Sequence, residues 1–346
     1  MSAERHPYPS ADIAGVTARP SAYEALRAAA ATAYYRLTGP KPKVPLTLDL
    51  IGGGAPRPLT PSDLPLVFPA RNDRAILPSL LAHYRRLGVT RFICVDDRSD
   101  DGTREFLCEQ PDVDVYQANV RFQAALAGRF WRMMLFRRYG MNRWYVSIDT
   151  DEFMIYQDHN RVGLAELARI LERRGIWRLP APMIDAYPAG RLTDAAFDGR
   201  DGRMPWQVAG LIDGSDYTVR RGTRALSVEG GVRRRLFGVK QELIKYPLIY
   251  WTERCGYAHS IHQPLPFGAN LAPIYAVLLH FKFFADAVES FKAIVRDGQY
   301  YKASKEYAAI VSQIESPDTL TLEYGGSIPI GSAEELMRRG FFLPWR

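Results

Sequence analysis

Trp144-Tyr145-Val146-Ser147-Ile148-Asp149-Thr150-Asp151-Glu152-Phe153 is the stretch that decides how this chain folds. A short apolar run, Trp144 to Ile148, leads straight into three carboxylates within four positions. Such a run reads as a buried strand with its carboxyl end at Asp149. Carboxylates crowded there repel one another unless a cation or hydrogen-bond donors offset them. Oxygen ligands of this kind suit Mg²⁺ or Mn²⁺, which commonly also hold substrate phosphates.

The pattern upstream repeats the same grammar. Leu64 to Pro69, Arg91 to Val95 and Val113 to Tyr116 read as three further strands. Between them, Ile76, Leu77, Leu80, Leu81, Tyr84 and Leu87 share one helical face. Helices are also predicted over about Asp101 to Glu109 and Arg121 to Tyr139. Strands alternating with helices imply an α/β fold, a mostly parallel sheet flanked by helices, with ligands at the carboxyl ends of the strands. Beyond residue 150 the spacing predicts a helix at Leu164 to Arg174, strands at Ile176 to Ile184 and Ile274 to Phe281, and helices near 285–296 and 304–314. Upstream, Ser21 opens an Ala-rich helix that Gly39-Pro40 ends near residue 38, and residues 39–63 read as a linker. The division expected is an N-terminal extension over 1–63, a main domain over 64–315 and a tail over 316–346. Within the main domain, 64–155 would be the nucleotide-binding half and 156–315 the acceptor half.

A second acidic cluster ends the Arg91 to Val95 strand: Asp96-Asp97-Arg98-Ser99-Asp100-Asp101-Gly102-Thr103. Taken alone, Ser99 or Asp100 could simply cap the next helix. Of 346 residues, 47% are hydrophobic and 24% charged, which excludes a disordered or fibrous chain. Lys plus Arg number 45 against 38 Asp plus Glu, a net +7, and the excess is Arg-rich. That balance points to anionic partners, phosphates, nucleic acid or an acidic membrane surface, without choosing among them. The Arg residues are scattered and no nucleic-acid-binding signature appears, so no nucleic-acid partner is expected. Cys94, Cys108 and Cys255 form no CxxC pair, which argues against a zinc site or a disulfide framework and fits a reducing compartment. No apolar run is long enough to span a membrane and the first residues lack a signal-peptide core. The expected location is the cytoplasm.

In order along the chain, these motifs resemble family 2 glycosyltransferases. Asp96 to Thr103 is similar to their VDD-x-S-x-D-G-T segment, and Asp149-Thr150-Asp151 to their DxD. Pro69-Ala70-Arg71-Asn72-Asp73 resembles the nucleotide-side segment of several branches. Gly230-Gly231-Val232-Arg233, Ser260-Ile261-His262 and Leu279-His280-Phe281-Lys282-Phe283 are similar to the branch whose DxD is followed by Glu-Phe. The resemblance implies a GT-A-type, Rossmann-like fold. It implies inverting, Mn²⁺- or Mg²⁺-dependent transfer from a nucleotide sugar, UDP by family habit, to a glycan or lipid-linked acceptor. It implies that Asp97 contacts the base or ribose and Arg71 the nucleotide. Asp149, Asp151 and His280 would hold the metal, and Lys282 would lie near the diphosphate.

An inverting transfer also needs a base for the acceptor hydroxyl. Asp185, which follows a predicted strand, is the first candidate, and Glu152, Glu229 and Asp213 are its rivals. His6, His83 and His159 read as ordinary surface or core residues. On a strand His259 and His262 would face opposite ways, and His262 is the one assigned to the acceptor. Arg233, Arg234 and Arg235 would alternate along a strand, and Arg233 is assigned to the donor diphosphate. The aromatics of Tyr246 to Trp251 and Phe281 to Phe284 either stack sugars or fill the core.

Two other readings stay open. Ile51 to Thr60 is similar to the glycine-rich loop of sugar-phosphate nucleotidyltransferases, although Pro56 and Pro58 remove two amide donors. A basic glycan- or nucleic-acid-binding protein without catalysis is the other. The helix at 21–38 either packs on the domain or in a dimer, the favoured reading, or rests on the inner face of an anionic membrane.

Overall fold

A computed structural model describes residues 4–41, 43–52, 58–300, 304–314 and 316–346. The first half of the chain holds β1 (Arg5–Tyr8), α1 (Ile13–Val16), α2 (Ala22–Thr38), β2 (Leu48–Gly52), β3 (Pro65–Ala70), α3 (Leu77–Arg86), β4 (Arg91–Asp96), α4 (Thr103–Cys108), β5 (Val113–Ala118), α5 (Arg129–Tyr139), β6 (Arg143–Ser147) and β7 (Glu152–Tyr156). The second half holds α6 (Leu164–Arg173), β8 (Arg178–Tyr187), β9 (Leu211–Asp213), β10 (Tyr217–Arg221), β11 (Leu226–Glu229), α7 (Gly231–Phe237), β12 (Ile244–Trp251), β13 (Gly256–Tyr257), β14 (Pro264–Leu265), β15 (Ala276–Phe281), α8 (Ala287–Asp297), α9 (Lys305–Ser312), β16 (Ser327–Pro329) and α10 (Ala333–Arg338).

Side chains alternate across a sheet, so a strand covered on both faces must be apolar at successive positions. That is the composition of β3, β4 and β6 over most of their length, and of β5 except Asp114 and Gln117; Asp114 is buried against Arg91 and Tyr139, and the four strands lie parallel in the order β6-β3-β4-β5. Leu66, Phe68, Phe92, Cys94 and Val146 pack on one face against Leu77, Leu80, Leu81 and Tyr84 of α3. Val67, Ile93, Val95 and Tyr145 pack on the other against Trp131, Leu135 and Phe136 of α5. Antiparallel strands close both margins, β2 beside β5 and β12 beside β6. The fold is therefore the mixed α/β class read from the sequence, a parallel central block flanked by helices.

One strand ties the two halves together. All ten residues of β8 are buried. Its first part pairs with β12, and Met183 to Ala186 pair in parallel with β15, which runs antiparallel to β7. The chain ends are joined to this body. β1 pairs with β10, β16 pairs with β9, and Phe341, Phe342 and Trp345 are buried in the main core.

Four local expectations differ from the structure. The 39–63 linker contains β2, a sheet strand. The helix predicted from Arg121 begins at Arg129, because Leu126, Ala127 and Gly128 all have φ between 53 and 69°, and left-handed residues cannot extend a right-handed helix. Arg233 to Arg235 lie on a helix, α7, not a strand. Gly230 and Gly231 reverse the chain at φ 141 and 73°, where a Cβ on Gly230 would come 2.4 Å from the Asp216 carbonyl oxygen. His259 and His262 sit in the turn between β13 and β14.

Candidate functional site

Strand register builds the centre of the site. His280 on β15 lies opposite Glu152 of β7 on one side and Asp185 of β8 on the other. Directly paired residues share a face, so three strands deliver one row, Glu152-His280-Asp185. His280 Nδ1 donates to Asp185 Oδ1 at 2.6 Å, which leaves Nε2 turned to Asp151 Oδ2 at 3.4 Å. Burial alone would lower the His280 pKa, but Asp151 and Asp185 outweigh it and raise it. Burial likewise opposes ionisation of Asp185, yet Arg233 and His280 hold its carboxyl at about 2.

The neighbouring carboxylates are each matched by a cation. Asp149 accepts from Arg132 at 2.6 Å and pairs with Lys245, which also pairs with Glu152. Asp151 Oδ2 accepts from Lys282 at 2.7 Å. Burial penalises the Asp151 carboxylate, and Lys282 and His280 nevertheless hold it well below the usual carboxylate range. Its other oxygen, Oδ1, is buried without a partner among the described residues. Atoms of Asp151, Glu152 and His280 lie within 4.8 Å of one another. An orphaned carboxylate oxygen beside a histidine and a second acid is a donor set that fits a hard or borderline divalent cation.

This centre opens on a cavity of about 620 Å³, lined in part by Arg71, Asp73, Asp97, Asp149, Asp151 and Lys282. The loops after β3 and β4 shape one wall. Arg71 donates to the Asp97 carbonyl at 2.6 Å, and Arg121 Nε binds the Asp97 carboxylate at 2.8 Å. Asp297, at the end of α8, bridges Arg71 at 3.2 Å and Arg121 at 2.8 Å across the mouth. Ser99 and Asp100 do not cap α4. Ser99 Oγ accepts from Asn72 N, and Asp100 exchanges hydrogen bonds with Asn72, so both stitch the two loops together. Asp73, half-buried on this wall, is pushed up to about 7 by burial. The cavity also holds an aromatic shelf, Phe197 stacked on Phe284 with centroids 4.6 Å apart, and Phe281 beside it. Asp286 and Glu289 line the cavity next to that shelf.

Several residues assigned from sequence are placed differently. Asp185 is buried with one oxygen on His280 and the other on Arg233, so it has none open to take an acceptor proton. Glu152 is fully buried against Lys245, which removes it as a base too. Of its rivals, Asp213 is held by Arg235 at 2.9 Å and Tyr187, and Glu229 faces Arg5 and Arg234. Arg233 is buried between Asp185 and Glu306 and does not line the cavity. Both Asp149 oxygens are occupied by cations, so Asp151 carries the open one. His262 Nδ1 bonds the Ile244 carbonyl at 2.6 Å, and burial lowers its pKa to about 4. It does not line the cavity. Tyr246 and Trp251 are core residues, whereas Phe281 and Phe284 border the cavity. Residues 53–57 of the glycine-rich stretch lie outside the described residues. Sequence reasoning missed Lys245, Arg132, Arg121 and Asp297. Only the apolar context of Lys245, inside Ile244 to Trp251, signals a buried cation.

No family model matches the chain, and no curated protein matches it. Among solved structures, it is similar to a 4-diphosphocytidyl-2C-methyl-D-erythritol synthase at 15% identity and a TM-score of 0.26, covering 54% of this chain and 75% of that one. It is also similar to a putative glucose-1-phosphate thymidylyltransferase from Bacillus anthracis, solved with sucrose, at 10% identity and a TM-score of 0.25, covering 80% of this chain and 93% of that one.

Proposed function

We propose that the chain is a transferase acting on a nucleotide sugar, moving the sugar to an acceptor hydroxyl with inversion. The observation that carries this reading is the unpartnered Asp151 Oδ1, buried beside His280 and Lys282 at the floor of the cavity. Asp151 and His280 would hold a divalent cation, Mn²⁺ or Mg²⁺, with Glu152 and Asp149 behind them. Such a cation supplies charge neutralisation for a leaving diphosphate. The wall of Arg71 and Asp97 would take the nucleotide, with 64–155 as its half. The shelf of Phe197, Phe281 and Phe284 would stack the acceptor within 156–315. Asp286, on the cavity wall beside that shelf, is the proposed base in place of Asp185. The acceptor oxygen would attack the anomeric carbon as its proton passes to Asp286. The bond to the diphosphate oxygen breaks, and Lys282 and Arg71 stabilise the charge that develops there.

The second reading is nucleotidyl transfer to a sugar phosphate, the one the glycine-rich stretch Ile51 to Thr60 raises. It requires a strand just before the glycine-rich stretch. Leu48–Gly52 is such a strand, although it lies at the antiparallel margin and none of it lines the cavity. The test is thermal stability with nucleoside diphosphates, nucleotide sugars and nucleoside triphosphates, each with and without Mn²⁺. Stabilisation by a nucleotide sugar, reversed by chelation, supports the proposal. Stabilisation by a triphosphate alone, with pyrophosphate released from that triphosphate when a sugar phosphate is added, replaces it with the second reading.

A further inference from the structure

Helix α2 shows two unlike faces. Ala28, Thr32 and Tyr35 face inward on Ala258, Leu265 and Phe267, and Thr32 Oγ1 accepts from Phe267 N at 2.9 Å. A capping box at Ser21, a Glu24–Arg221 ion pair and a bond from Arg36 to the Arg254 carbonyl fix both ends. The helix is therefore anchored. Its outer face nevertheless carries Tyr23, Leu26, Tyr34 and Leu37, between 65 and 84% exposed, with Ala30 among them. Their spacing keeps all five within one stripe, about 21 Å long at the rise of an α-helix. Single exposed apolar residues are ordinary, but a continuous stripe on a rigid helix marks a contact surface.

The charge around the stripe selects the partner. Arg27 packs over Tyr23 at its edge, and Lys41, Lys43 and Arg254 are exposed at and beyond its C-terminal end, with Glu253 the acid among them. The one acid on the helix, Glu24, is committed to Ser21 and Arg221. Two copies meeting through this face in parallel would bring these cations against one another, and an antiparallel pair would leave them without a counter-charge. An anionic lipid surface would neutralise them while taking up the leucines, and tyrosine rings suit the headgroup level. No described helix is long and apolar enough to cross a membrane, so the contact is a resting one. The geometry points to α2 as the face by which this protein docks on an anionic phospholipid membrane. The inference stands apart from the transfer reaction, because none of these residues lines the cavity.

The test is flotation of the full chain with vesicles of phosphatidylcholine alone or mixed with phosphatidylglycerol, without nucleotide. The expected result is flotation with the mixed vesicles only. High salt, and Leu26→Glu combined with Leu37→Glu, should each reduce it about ten-fold or more. An unchanged circular-dichroism melt shows that the double variant folds. No flotation with anionic vesicles, equal flotation on both lipids, or flotation untouched by the double variant would overturn the proposal. So would a dimer in light scattering that the double variant dissolves, which would assign the stripe to a second copy.

Discussion

Lys245 is the residue on which the acidic centre depends. Its ammonium serves Asp149 and Glu152 together, and all three are withdrawn from bulk water to different degrees. Removing one partner of a buried ion pair leaves uncompensated charge, at a cost of about 3–5 kcal/mol. Lys245→Met is expected to lose that much in chemical denaturation, and Glu152→Gln in the same chain to restore part of it. Asp151→Asn should abolish any Mn²⁺-dependent shift by nucleotide sugar, from a lowered starting melting temperature, because it also leaves Lys282 and His280 without their shared carboxylate. His83 makes a separate prediction. It is buried against the Met154 carbonyl, and burial lowers its pKa from 6.5 to about 3. Above pH 6.5 it is neutral in both states. Below that the unfolded chain takes up a proton that the folded one refuses, so stability falls with acidification until about pH 3. Asp73, raised to about 7, works in the opposite sense, so the difference between variants is what isolates His83. His83→Gln should flatten the slope between pH 6.5 and 4.5 by up to about 1.4 kcal/mol per pH unit. The carboxylates and His280 were legible because each ends an apolar run. Most of their partners were not, since Lys245, Arg132 and Arg121 reach Asp149, Glu152 and Asp97 from distant segments and no local spacing encodes a salt bridge.

At the scale of elements, most strands and helices could be read because burial on both sheet faces imposes long apolar runs. The exceptions come from backbone conformation. Nothing in Arg121 to Tyr139 except Gly128 announces that Leu126 and Ala127 adopt φ of 53 and 58°. Side chains in that region are strained, and glycine is not. Ala127→Gly is therefore expected to be neutral to stabilising, by up to about 1 kcal/mol in denaturant melts, against the usual direction of such a change. In α7 the sequence Val232 to Phe237 looks β-like, and the two glycines before it, at positive φ, turn it into a helix. That error had a consequence for the site. A strand would have sent Arg233 outward to a ligand, whereas the helix turns it inward onto Asp185.

At the scale of the molecule, the sequence made the parallel block legible and left the second half nearly opaque. Residues 185–270 pair with strands far away, β1 with β10 and β16 with β9, and such pairings leave no periodic trace. The strand β8 joins these regimes, paired with β12 along its first part and with β15 along its second. A single buried rod shared this way makes the two halves one cooperative unit. Unfolding followed by tryptophan fluorescence and by far-ultraviolet circular dichroism should give one coincident transition, and a fragment ending before Arg178 should fail to give a folded spectrum. It follows that a cut anywhere along β8 would bare unpaired backbone on both of its neighbours at once, β12 and β15.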